Sequence, residues 1–384
     1  MTTRTLLTLS VAVVGLVIAG ASGHDALSAA ANAGVGPELE STGPITFGPE
    51  GTLFVADNRA AAIYALDLAA HGSGASPGTK SVPAVDQKIA ALLGTDAREI
   101  QIADLAINPV SRNAFVSVSR GRGAGARPVL VRIDGAGSLD VIALGDVEYT
   151  MVELPNPPDA TPSADGDRPV PRRDGSWLAN GRVRMQTITD MAYVDGQVFI
   201  AGLSNDEFSS KLRSVAYPFS DASAGTSVEI WHAAHGQFET ESPVYTFVPY
   251  NVDGEQSLIA GYLCTPLVKF PIADLKPGAK VMGKTIAELG NRNRPLDMIV
   301  YEKGGRDYLL MSNTSRGVMK IPTAGFGASS VTESVGGGGT AGAAYETVSQ
   351  MTGVEQLDLL DDMHAIVIAR DDSGVANLEA VMLP

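Results

Sequence analysis

The chain has 384 residues, 45% of them apolar and only 18% charged, with 42 glycines and 22 prolines. That profile suits many short strands and tight turns and argues against an architecture of long helices. A net charge of −15 argues against general nucleic-acid binding, which needs a basic face. The single cysteine, Cys264, rules out an intrachain disulfide, so stability has to come from packing and strand closure.

The first segment reads as an export signal over residues 1–21. Arg4 supplies the positive charge, Leu6 to Ala19 is apolar, and Ala19-Gly20-Ala21 has the small-residue pattern of a cleavage site. A membrane span needs roughly 20 apolar residues, so none is expected in the mature chain. The expected location is the periplasm or the outside of the cell. Cleavage after Ala21 leaves Ser22-Gly23-His24, whose free amine and third-position histidine can chelate Cu²⁺.

From residue 22 to 384 one pattern recurs: a short strand, a polar turn, an apolar strand ending in a small residue, a polar loop, and another apolar strand. The copies begin at Ile45, Ile102, Ile188, Val244, Pro295 and Val354. Hairpin dipeptides fall where strands must reverse: Glu50-Gly51, Asp195-Gly196, Asp253-Gly254 and Gly304-Gly305. A repeat of roughly 40 to 60 residues built of hairpins predicts an all-β, six-bladed β-propeller, because one small sheet cannot cover both its faces but a ring of them can. The sixth copy ends at Leu383-Pro384 after three strands. The N-terminal segment, about His24 to Glu40, is therefore expected to close the ring. Residues 85–94 have helical spacing, residues 153–185 read as a long surface loop rich in Pro, Asp and Arg, and Gly336–Gly339 as a flexible connector.

The first copy, GPITFGPEGTLFVADN, resembles the six-bladed propellers of the NHL and SMP-30/gluconolactonase type. The resemblance is strand grammar over most of the chain and specific residues over about fifteen positions. Lactonases of that group open with a Glu-Gly-Pro whose glutamate holds a divalent metal. The aligned triplet here is Thr42-Gly43-Pro44.

In a propeller, the loops joining second to third strands and those joining successive blades share one face. That rule gathers His232 and His235, Cys264, the run Arg292-Asn293-Arg294, Asn313 with Arg316, and Arg120, Arg122 and Arg127. His232-Ala233-Ala234-His235 with Cys264 offers soft ligands for copper or zinc, although His235-Gly236 also reads as a plain turn and Cys264 as a small buried residue. Asp104, Asp190, Asp297 and Asp358 start the innermost strand of four copies. They can either ring a Ca²⁺ ion or, the favoured reading, tie neighbouring blades by accepting backbone N–H groups. The arginines can form a fork for a carboxylate or phosphate, or pair with those aspartates.

Gly74-Ala75-Ser76-Pro77-Gly78 fits a nucleophile-elbow pattern, yet no strand precedes it and Pro77 removes the needed N–H. Gly121 to Gly125 is not followed by a helix and makes a poor phosphate loop. The resulting expectation is an exported, monomeric binding or scaffold propeller with an unidentified protein or small-molecule ligand. The alternative is a metal-dependent, lactonase-like hydrolase, or a metal-containing redox partner, using the same face.

Overall fold

The computed structural model describes residues 36–68, 81–160 and 183–384. The proposed signal, the Ser22-Gly23-His24 chelate and the Gly74–Gly78 motif lie outside them. No helix among the described residues is long and apolar enough to cross a membrane.

Six antiparallel sheets stand around a central axis. The first blade is β1 (Ile45–Phe47), β2 (Leu53–Asp57), β3 (Ala62–Leu66) and β8 (Tyr149–Glu153). The second is β4 (Ile100–Ile107), β5 (Ala114–Arg120), β6 (Arg127–Ile133) and β7 (Leu139–Val141). In the third, β9 (Asp190–Val194), β10 (Gln197–Leu203), β11 (Ser210–Ala216), β12 (Thr226–His232) and β13 (Gln237–Glu239) follow in order. The fourth contains β14 (Thr246–Val252), β15 (Glu255–Gly261), β16 (Pro266–Pro271), β18 (Lys284–Glu288) and β22 (Ala341–Gly342), while β17 (Lys280–Met282) pairs in parallel with β12. The fifth is β19 (Pro295–Glu302), β20 (Asp307–Asn313), β21 (Met319–Pro322) and β23 (Glu346–Thr347). The sixth has only β24 (Val354–Leu359), β25 (His364–Arg370) and β26 (Ala376–Met382).

The blades do not follow one another around the ring in chain order. Phe54 and Ile63 of the first blade pack against Met191 and Ile200 of the third. Ile107 and Val116 of the second pack against Ile366 and Ile368 of the sixth. Phe115 of the second also meets Val55 of the first. The order around the axis is therefore second, first, third, fourth, fifth, sixth. The chain leaves the first blade after three strands, builds the second, and returns along Tyr149–Glu153 to finish the first. Residues 149–153, at the edge of the expected long loop, thus become a strand.

The helix expected near residues 85–94 is α1 (Val85–Leu92), whose Val85 and Ile89 are fully buried in the core between the second and sixth blades. The short stretch before it covers the last strand of the sixth blade. Val82 and Leu378 exchange two backbone hydrogen bonds, at 2.7 and 3.0 Å. The fourth-strand position of that blade is therefore met by Val82. Of the segment His24–Glu40 expected there, residues 24–35 lie outside the described part. Residues 36–40 instead run beside the first and second blades, where the Gly36 N–H donates to Gly145 O and the Glu40 N–H to Asp57 Oδ2.

Candidate metal centre

The innermost strands surround a cavity of about 290 Å³ lined by Asp104, Asp190, Asp297 and Asp358. Each aspartate is occupied in the same manner. One carboxylate oxygen accepts the N–H of the next residue in its own strand, Leu105, Met191, Met298 or Leu359. The other accepts an N–H from the following blade: Ile45 for Asp104, Phe247 for Asp190, Leu357 for Asp297 and Ile107 for Asp358, at 2.7 to 2.8 Å. With its amide nitrogen turned inward, Gln356 also stands 2.9 Å from Asp104 and 3.0 Å from Asp297. Burial raises all four carboxyls, Asp190 to about 7 and Asp358 to about 6. The four residues do not gather into a cation cage: their oxygens are turned to the blade junctions.

A different cluster lies where the third and fourth blades meet. Strand β12 ends in His232, and the turn behind it is closed by N–H groups of His235 and Gly236 donating to His232 O. Gly236 has a φ of +66°, the left-handed conformation this turn needs, and a Cβ there would stand 2.8 Å from Ser334 Oγ. The turn stacks the two imidazoles, whose centroids are 3.7 Å apart.

Cys264 approaches from the loop between β15 and β16. It and Thr265 adopt φ of +61° and +59°, an uncommon conformation for any residue with a side chain and a costly one for β-branched threonine. The loop is held in that shape by the Cys264 N–H donating to Asn293 O, the Leu289 N–H to Thr265 O, and the Thr265 hydroxyl to Gly290 O. As a result, ligand atoms of His232, His235 and Cys264 all lie within 4.8 Å of one another. They are the only such group of three among the described residues. His232 and Cys264 are buried and form the floor, while His235 faces the surface with 28% of its side chain exposed.

Two carboxylates complete the arrangement. Glu239, reached through the β12–β13 hairpin, meets the Nδ1 of each histidine with a different oxygen: His232 Nδ1 lies 2.9 Å from Oε2 and His235 Nδ1 2.5 Å from Oε1. Ser242 donates to the same carboxylate. The two imidazoles and that hydroxyl hold Glu239 far below the usual carboxylate range despite its burial. The Cys264 sulfur and the Glu239 carboxylate together push His235 up to about 9. Glu288, at the end of β18 and directly across the sheet from Pro266, is wholly buried. Its Oε2 accepts the Ala234 N–H at 3.1 Å, and its Oε1 has no hydrogen-bond partner. Burial raises it to about 7.

The remaining residues expected on this face divide. Arg292, Asn293 and Arg294 do adjoin the cluster, through the Cys264–Asn293 bond. Asn293 and Asn313 are buried and act as braces: the Asn293 amide donates to Asn313 Oδ1, and the Ser315 N–H donates to Asn293 Oδ1. Arg316 donates to Asn291 O from the neighbouring loop. Arg120 and Arg122, by contrast, belong to the second blade and donate to Gly94 O and Arg98 O, so they pin the loop after α1 instead of joining the cluster. Thr42, where a lactonase carries its metal glutamate, donates its hydroxyl to Val118 O and ties the first blade to the second.

Sequence reading singled out His232, His235 and Cys264, which the structure brings together, and passed over both carboxylates. Glu239 was accessible in principle, because a turn at Gly236 brings the third residue after it back beside His232. Glu288 was not, because its nearness rests on cross-strand register.

No protein-family model matches the sequence, and no curated protein matches it. Among solved structures, the PQQ-bound aldose sugar dehydrogenase of Streptomyces coelicolor is 11% identical, with 92% of this chain and 98% of that one covered and a TM-score of 0.30. Virginiamycin B lyase of Staphylococcus aureus is 12% identical over 91% and 98%, again with a TM-score of 0.30. The extracellular region of plexin A4 is 11% identical over 90% of this chain and 39% of that one, with a TM-score of 0.40. At such identities the likeness concerns the fold alone.

Proposed function

We propose that this chain is an exported metalloprotein in which His232, His235 and Cys264 hold one transition-metal ion and leave a fourth position open for water or ligand. The reading rests above all on Glu239. One carboxylate bonded to both Nδ1 atoms fixes both rings and directs both Nε2 atoms away from it, the outer-shell arrangement that accompanies metal-ligating histidines. Two imidazoles and a thiolate suit zinc or copper far better than calcium or magnesium. Scaffolding alone would leave the convergence of three soft ligands and two carboxylates unexplained.

The chemistry that fits best is metal-assisted hydrolysis. Zinc held by His232, His235 and Cys264 would supply Lewis acidity and a water of lowered pKa. Glu288, whose Oε1 has no hydrogen-bond partner, would be the group to take up that proton. His232 and Cys264 hold the ion from the buried side, and His235 forms the edge that a substrate meets. A second reading, a copper electron carrier, is favoured by the thiolate–imidazole set with one histidine at the surface.

Titration with Co²⁺ as a spectroscopic stand-in tests the centre. A sulfur-to-cobalt charge-transfer band should appear and should vanish in Cys264→Ser. A wild-type protein without that band would remove the thiolate from the site and the proposal with it.

A further inference from the structure

Beside the proposed metal centre the loops around Asn293 carry three arginines, Arg292, Arg294 and Arg316. Among the described residues some cations pair with carboxylates, as Arg132 with Asp140, Lys211 with Asp206, Lys269 with Glu255 and Arg370 with Glu355, while others, such as Arg120, Arg122, Arg184 and Lys284, donate to backbone carbonyls and brace the fold. Arg292, Arg294 and Arg316 have no carboxylate partner among the described residues. Arg294 lies with its guanidinium 4.5 Å from the centroid of the Tyr245 ring. Arg316 makes one hydrogen bond to Asn291 O, its Nε is buried with no partner, and its guanidinium rests where only Gly290, at φ +101°, leaves room.

The loops that carry these arginines are braced in advance. Ser315 donates to Arg292 O, Thr314 and Arg294 exchange two hydrogen bonds, and Asn293 is bonded to Asn313 and Ser315. The same segment accepts the Cys264 N–H, so the cationic loop and the thiolate loop share a hydrogen bond. Arginines on braced loops beside the proposed metal position suit one ligand chemistry, a planar or tetrahedral oxyanion that offers two oxygens to a fork.

We infer that the ligand of this centre is an anion, carrying a carboxylate or phosphate group that Arg294 and Arg316 bind beside the open metal position. The inference rests on the metal reading for the word "beside" and on the arginines alone for the anion. A neutral ester or lactone would offer these guanidinia no charge to pair.

The test is calorimetric titration of zinc-loaded protein with inorganic phosphate and with acetate. The wild type binds at least one of them, and Arg294→Gln and Arg316→Gln each weaken that binding by about tenfold. Arg122→Gln, on the same face but bonded to Arg98 O, leaves it unchanged. Arg294 is exposed, so its variant should keep the wild-type melting temperature. Preference for acetate names a carboxylate ligand and preference for phosphate a phosphoryl ligand; both support the inference. No binding of either anion, or binding in both variants as tight as in the wild type, overturns it. The His232→Ala, His235→Ala protein separates this from the metal question. If the arginine dependence survives there, the anion site stands even should the wild type prove unable to hold zinc.

Discussion

The Ile107 N–H donates at 2.7 Å to Asp358 Oδ2, across the junction where the last blade of the chain meets the second. That bond and the exchange between Val82 and Leu378 close the ring with residues more than 250 positions apart, without a disulfide. Four of the six junctions carry such an aspartate. The junctions of first with third and fourth with fifth blades lack one; there apolar packing is joined by the Ile188 N–H donating to Asn58 Oδ1 and the Tyr250 hydroxyl donating to Asp307.

The ring carboxylates set a pH dependence. Burial raises Asp190 to about 7 and Asp358 to about 6, with Asp104 and Asp297 also well above the ordinary value. Each binds its proton more tightly in the folded chain than in the unfolded one, where an aspartate titrates near ~3.9. Their contribution to stability is therefore full below about pH 4 and declines as pH rises toward about 7. Glu239 acts oppositely, being depressed, and its contribution is lost as the solution becomes more acid than an ordinary glutamate, about pH 4.3. The melting temperature of metal-free protein should peak in mildly acid solution and fall toward neutrality. Asp190→Asn and Asp358→Asn should each flatten that fall; a slope unchanged in both variants would show that these carboxyls do not control it.

Val82→Pro removes the Val82 N–H that donates to Leu378 O and leaves a buried acceptor without its donor. The expected cost is about 1–3 kcal/mol. Limited proteolysis should then cut first near β26, the strand that Val82 covers. Protection of β26 equal to wild type would mean that the ring does not depend on this bridge.

Glu239→Gln keeps the size of the side chain but cannot accept from both imidazoles as a carboxylate does. Zinc affinity should fall about 10- to 100-fold, as outer-shell changes do, while Glu288→Gln should leave affinity nearly intact and remove hydrolytic activity. Competition with a chromophoric chelator measures the first effect. Equal affinity in Glu239→Gln and wild type would deprive Glu239 of its role.

The fold was legible because each blade repeats its own local chemistry. Asp195-Gly196 and Asp253-Gly254 both adopt the two successive positive φ angles that their dipeptides announce. The helical spacing of residues 85–94 predicted the helix, whose buried face the structure places at Val85 and Ile89. The order of blades was not legible, since apolar alternation says which side of a strand is buried and not which neighbour buries it. Tyr149–Glu153 also escaped notice, because an outermost strand is half exposed and carries a weak pattern. In the site, His232, His235 and Cys264 drew attention by residue type and by the rule that places their loops on one face of a propeller. The choice between lock and cation cage for the aspartates depended on where their second oxygens point, which is a property of neighbouring blades.

The most direct test is the metal content of the protein, purified without chelators and measured by mass spectrometry. The account predicts about one equivalent of zinc or copper, lost in the His232→Ala, His235→Ala variant and in Cys264→Ser while the fold persists. Protein that carries no transition metal and takes up neither Zn²⁺ nor Cu²⁺ would contradict it.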